Sequence, residues 1–271
     1  MIFNDFKTFV INLEKEKKKW LELNKELSKK NFKPYRFKAV CGKEIDYNDY
    51  KKYIYWSKYI FSFIPRGMAG CGLSHIILNK NIINKNNYYY NLVLEDDVIP
   101  LFNDKKDIIK LLEKIPKDAD IVNFHINGII PNYIKNSRKL FIKYKPNKRK
   151  FFEFVSSAVA YIITKKGSNK LKNKKFKWHI DLARYFNEEL NIYMYNNYKY
   201  PKLFDTDEST SNLRSSYKLN LNYPKLNNII VILSYKYIRI PIINIELNSF
   251  DSIFIIFIIF QLIFQLIYKN Y

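Results

Sequence analysis

The chain has few cysteines, few glycines and no long unbroken apolar run. Its 271 residues hold two cysteines, Cys41 and Cys71. Two thiols make neither a disulfide framework nor a four-ligand zinc set, and such sparse usage favours a reducing compartment. Of six glycines, three (Gly67, Gly70, Gly72) fall between Pro65 and Gly72. They fit neither the Walker nor the Rossmann spacing, so those two phosphate cradles are not expected. The opening Met1-Ile2-Phe3-Asn4-Asp5-Phe6 lacks a basic start and a long apolar core, so no signal peptide is expected. The run from Ile253 to Tyr268 is broken at Gln261 and Gln265, and it is marginal against the roughly 20 apolar residues of a spanning helix. No internal repeat is visible.

What is present is positive charge. Lys and Arg number 47 against 25 Asp and Glu, a net +22. That excess implies attraction to anionic membranes, nucleic acids or phosphorylated substrates and says nothing about fold. The chain is also rich in Lys, Asn, Ile, Tyr and Phe, the bias of an AT-rich genome, so single lysines carry little signal. The clusters Lys15 to Lys19, Lys145 to Arg149 and Lys172 to Lys177 read as solvated faces. With no nucleic-acid motif present, no nucleic-acid partner is expected.

The most informative stretch is Asn91-Leu-Val-Leu-Glu-Asp-Asp-Val-Ile-Pro100. Leu92, Val93 and Leu94 read as a buried strand that runs into Glu95, Asp96 and Asp97. Open α/β sheets bind ligands at the carboxyl ends of their strands. Three adjacent carboxylates repel one another unless a cation neutralises them, and Mg²⁺ or Mn²⁺ favours such oxygens and bridges to phosphates. A metal site gripping a diphosphate and a solvated acidic turn both fit the stretch.

Around it the elements alternate as in an α/β fold. Thr8 to Leu13 reads as a strand, and Glu14 to Lys30 as an amphipathic helix with Trp20, Leu23 and Leu27 inward. Tyr35 to Val40 follows as a second strand. Pro65 to Gly72 reads as a glycine-rich loop feeding a helix from Leu73, which suits an anion or a plain tight turn. Asp104 to Lys114 reads as a helix, Asp120 to Phe124 as a strand, and Val155 to Thr164 as one long strand. Lys165 to Asn173 reads as a short helix and Ile192 to Tyr195 as a last strand, ahead of a polar segment, Asp205 to Arg214. His75 is either a packed imidazole or a site residue, and His125 is assigned to structure. His179 and Asp181 lie two apart, so on a strand they share a face, where either is a metal ligand, a general base or part of a surface turn.

Taken in order, several stretches carry a resemblance: Val10-Ile11-Asn12-Leu13, Arg36 to Gly42, Gly70-Cys71-Gly72-Leu73-Ser74-His75, Leu92 to Asp97, Ala160 to Gly167, and Ile180-Asp181. Together, over roughly residues 7 to 215, the chain resembles glycosyltransferase family 25, the lipopolysaccharide and lipooligosaccharide galactosyltransferases with collagen hydroxylysine galactosyltransferases as relatives. The resemblance implies a GT-A-like, Rossmann-like mixed sheet flanked by helices, a UDP-sugar donor, a divalent metal (Mn²⁺ or Mg²⁺) and inversion at the anomeric carbon. It places the metal on Glu95 and Asp97, with Asp96 beside the donor. It puts Ile11, Asn12, Leu13, Ser74 and His75 around the donor pocket. Asp181 is the first candidate for the base and His179 the second. Galactose from UDP-galactose onto a lipid-linked glycan is the leading expectation. A protein acceptor, and an inactive basic scaffold docked on a membrane, are the alternatives.

Two regions are expected: a glycosyltransferase domain over 1–228 and an apolar tail over 229–271. The tail lies on a membrane surface, spans it, or packs against the domain or a second copy. Together with the +22 charge it suggests a cytoplasmic protein, peripheral on the cytoplasmic face of an anionic membrane.

Overall fold

The computed structural model describes residues 6–128, 131–145, 155–156, 158–177 and 189–206, and the backbone of 236–240 and 245–248. His179 and Asp181 lie outside the described residues, and so does the tail apart from those two short segments. Among the described residues no helix is long and apolar enough to cross a membrane.

The chain opens with strand β1 (Phe6–Asn12), helix α1 (Lys17–Lys29) and strand β2 (Tyr35–Lys38). Short helices α2 (Tyr47–Tyr50) and α3 (Lys58–Ser62) lead into α4 (Arg66–Leu78), which passes into a π-helical turn at Asn79–Ile83. Strands β3 (Tyr90–Glu95) and β4 (Val98–Pro100), helix α5 (Lys105–Leu112) and strand β5 (Ile121–Asn123) follow. Then come β6 (Asn127–Gly128), α6 (Asn132–Lys135), β7 (Phe141–Lys143), β8 (Val155–Ser156), β9 (Ala160–Thr164) and α7 (Lys165–Leu171). Strands β10 (Ile192–Tyr195), β11 (Phe204–Thr206), β12 (Lys236–Ile240) and β13 (Ile245–Asn248) close the series.

Seven strands form one mixed sheet in the order β2-β1-β3-β9-β5-β10-β7. The first three are parallel, with Val10 opposite Arg36 on one side and Leu94 on the other. Strand β9 runs antiparallel between β3 and β5. Both faces are covered, which is why β1 and β3 read as nearly continuous apolar runs. Alternate residues serve opposite cores. Val10, Leu92 and Leu94 pack with Leu23 and Leu27 of α1 and with Ile108 and Leu112 of α5. Phe9, Ile11 and Val93 pack with Leu78 of α4 on the other face. Helix α5 starts where Asp104 caps it: its carboxylate accepts from Lys106 N at 2.8 Å, and the Asp107 carboxylate accepts from Asp104 N at 3.1 Å.

The chain leaves β1 for β2 on one side and returns to β3 on the other. Connections that diverge in this way leave a crevice at the strands' carboxyl ends. Asn12, Leu13 and the three acids sit at that edge.

Three expectations are corrected. The segment from Pro65 to Gly72 is not a loop, because α4 already begins at Arg66. Its glycines permit close packing: a Cβ on Gly70 would lie 2.7 Å from the Val40 carbonyl oxygen and 2.8 Å from Gly42 N. The stretch Val155 to Thr164 is two strands in different sheets, since β8 pairs with β6 while β9 joins the main sheet. And β10 is not the last strand, because the supposed polar segment begins in β11, which pairs antiparallel with β4.

Candidate functional site

A cavity of about 150 Å³ opens at the carboxyl edge of β1 and β3. Ile11 reaches it from β1 and Leu13 from just after it, and Glu95 from the end of β3 with Asp96 and Asp97 in the turn that follows. Helix α4 contributes Gly67, Cys71, Ser74 and His75, the loop after β2 contributes Ala39, Val40 and Gly42, and α1 contributes Lys19. Seven residues expected from sequence therefore meet in one place. Asn12 joins them through Asp96, although it is itself buried beneath the lining.

Asn12 is held from both ends. Its Nδ2 donates to Asp96 Oδ2 at 2.6 Å and to the Glu16 carbonyl at 3.0 Å. Its Oδ1 accepts from Arg36 Nε at 2.8 Å. A guanidinium only donates, so Arg36 fixes which end of the amide faces the acid. Arg36 is fixed in turn by the Leu13 carbonyl at 3.4 Å and by Glu14 at 3.4 Å.

His75 is buried and engaged at both nitrogens. Nδ1 lies 3.0 Å from the Tyr161 hydroxyl and Nε2 lies 3.2 Å from Glu95 Oε1. It thus bridges the Tyr161 hydroxyl and the Glu95 carboxylate. Ser74 lines the cavity, but its hydroxyl is committed to the scaffold. It donates to the Gly70 carbonyl at 2.7 Å and accepts from Val40 N at 2.8 Å. It thereby staples the loop after β2 onto α4.

The acids crowd negative charge at one edge, opposed in part by Lys19. Burial pushes the Asp97 carboxyl up to about 7, and the neighbouring charges of Glu95 and Asp96 push the same way. Asp96 is also raised, again chiefly by burial, with the Asn12 bond opposing. Among the described residues, Asp97 Oδ1 is buried without a hydrogen-bond partner. An orphaned carboxylate oxygen within a set of three acids is the donor chemistry that a hard divalent cation takes. The residues present fit such an ion. Asp97 is the most available of the three, since Glu95 faces His75 and Asp96 faces Asn12.

Sequence reasoning missed Arg36, Cys71, Tyr161 and Lys19 as site residues. Arg36 and Tyr161 sit inside strands, where nothing distinguishes an orienting side chain from a filler. Cys71 was legible only through its place one turn before His75 on what proves to be a helix.

A sequence model described as glycosyltransferase family 25 (LPS biosynthesis protein) matches residues 5–186. No curated protein matches the chain in sequence. Among solved structures, the chain is similar to A197 from STIV, at 9% identity and a TM-score of 0.35, over 70% of this chain and 80% of that one. It is similar too to a mutant of the Drosophila β-1,4-galactosyltransferase 7 in complex with manganese, UDP-Gal and xylobiose. That likeness has 9% identity and a TM-score of 0.39, over 79% of this chain and 77% of that one. Scores this low leave the fold to be judged from the chain's own geometry.

Proposed function

Because this chain belongs to glycosyltransferase family 25, we propose that it is a metal-dependent, inverting glycosyltransferase of the GT-A type that moves galactose from UDP-galactose onto a lipid-linked oligosaccharide. The observation that carries the reading is the orphaned, buried Asp97 oxygen beside Glu95 and Asp96, at the crevice where the sheet's connections diverge. Glu95 and Asp97 would hold the ion, with Asp96 in support. The ion supplies positive charge against the diphosphate as it departs.

The chain's own residues do the rest. Arg36 holds the Asn12 amide so that Asp96 keeps one orientation. Tyr161 and His75 do the same for Glu95. Ile11 and Leu13 offer apolar wall to the donor, and Lys19 a positive charge near its phosphates. Inversion needs a base on the face opposite the leaving group, and Asp181 is assigned that role, with His179 second. The net charge of +22 and the apolar residues after 229 suit attachment to the anionic cytoplasmic face of a membrane, where a lipid-linked acceptor sits.

The test is donor turnover by the full-length chain across a panel of UDP-sugars, with and without Mn²⁺, repeated with Asp97→Asn. Turnover of one donor that needs the metal and falls at least about 100-fold in the variant is expected. Turnover that ignores both metal and Asp97 would overturn the site assignment. Neither turnover nor nucleotide-sugar binding would point to the scaffold alternative.

A further inference from the structure

We propose that Cys71, His75 and Glu95 form a site for a thiophilic divalent ion of the Zn²⁺ class, distinct in chemistry from the all-oxygen set of the acids and sharing Glu95 with it. The ligand atoms of the three residues lie within 4.8 Å of one another. His75 Nε2 is 3.2 Å from Glu95 Oε1, and Cys71 Sγ is 3.9 Å from the same oxygen. A tetrahedral zinc ion with its usual bond lengths separates a nitrogen from an oxygen ligand by about 3.3 Å, and a sulfur from either by about 3.6 Å. The first separation is already met and the second is within a few tenths of an ångström. A modest turn of side chains closes the third.

Local structure explains the preformation. Cys71 and His75 are four apart on α4, so both project from one face of the helix. That face looks onto the end of β3, where Glu95 stands. His75 is also backed as a metal-bound imidazole should be, by a partner on its other nitrogen. The Tyr161 hydroxyl, 3.0 Å from Nδ1, can donate or accept, so it accommodates the tautomer with Nδ1 protonated, in which the Nε2 lone pair faces Glu95 and a shared ion. Binding would exchange waters of the hydrated ion for the Cys71 thiolate, His75 Nε2 and a Glu95 oxygen, with the thiol proton leaving to water. The ring would lose its proton at Nε2 and take one at Nδ1 through solvent, so it stays neutral. Three protein ligands leave a fourth position open towards the cavity.

Zn²⁺ binds mixed sulfur and nitrogen sets more tightly than Mn²⁺ does. Occupancy would withdraw Glu95 from the acids. Zn²⁺ is therefore an inhibitor that acts through Cys71; this consequence, unlike the binding itself, rests on the transferase reading above.

The test is Co²⁺ titration of the full-length chain under reducing conditions, read by absorption, with Zn²⁺ as competitor. One equivalent of Co²⁺ should give a thiolate-to-cobalt charge-transfer band that Zn²⁺ abolishes. Cys71→Ser, and equally Cys71→Ala should the serine variant fold poorly, should lose the band and weaken Zn²⁺ binding at least about tenfold. Cys41→Ser should keep both. Absence of the band in the wild-type chain, or its survival without Cys71, would overturn the proposal. Binding is read without turnover, so failure here and failure of the transferase reading are separately visible. If turnover is found, Zn²⁺ inhibition should be relieved in Cys71→Ser, and inhibition of equal strength there would refute the shared-ligand arrangement.

Discussion

Replacing Asp97 by Asn should make the metal-free protein more stable while removing its metal response. The carboxyl is pushed from its ordinary 3.8 up to about 7 by burial and by Glu95 and Asp96. Three pH units correspond to ~4 kcal/mol. Water reaching this half-buried cluster reduces that to ~2 kcal/mol. The sign follows from proton uptake. Between about pH 4 and 7 the folded chain keeps a proton on Asp97 that the unfolded chain has lost, so stability falls as pH rises through that window. The amide in the Asp97→Asn variant carries no charge and skips this loss. At pH 8 without metal the variant should melt ~4–8 °C higher than wild type for a chain of this size. The gap should shrink as pH is lowered towards 4. Saturating Mn²⁺ with UDP should raise the wild type by about 2.7 kcal/mol at a hundredfold excess over Kd, and the variant scarcely at all. Scanning calorimetry at several pH values, with and without the ion, reads both arms. A variant less stable than wild type at pH 8 without metal would refute the picture of a carboxylate whose burial and acidic neighbours outweigh the pull of Lys19.

Other outcomes follow from the same contacts. Arg36→Lys should cut turnover about tenfold with little change in melting, since a lysine cannot hold Asn12 by the same fork; steady-state kinetics beside melting curves check this. Ser74→Ala should cost about 1–3 kcal/mol in denaturant unfolding because Val40 N loses its acceptor. Gly70→Ala should be at least as costly, since the added methyl meets backbone at Val40 and Gly42; unchanged urea midpoints would contradict the packing described. Asp104→Ala should lose about 1 kcal/mol through the α5 cap and leave turnover untouched.

Much of the scaffold was legible because its signals are local. Leu92, Val93 and Leu94 running into Glu95 showed both a buried strand and the position of its acids. Trp20, Leu23 and Leu27 showed the buried stripe of α1. The misreading at Pro65 to Gly72 has a physical cause: a glycine that lets a helix approach backbone looks, in sequence, like one that lets a loop turn. Long-range partners were not legible at all. Nothing near Arg36 announces Asn12, and nothing near Tyr161 announces His75, because those pairs exist only once β1, β2, β3 and β9 lie side by side. Ser74 lines the cavity, yet its hydroxyl is spent joining α4 to the loop after β2. The base assigned to Asp181 or His179 still stands on sequence and family resemblance.

The most direct test of the central claim is calorimetric titration of UDP-galactose into the full-length chain, with Mn²⁺ and with the metal chelated, for the wild type and for Asp97→Asn. Binding should require the ion and weaken at least about tenfold in the variant. Equal affinity in all four conditions would contradict a donor site built on Glu95, Asp96 and Asp97.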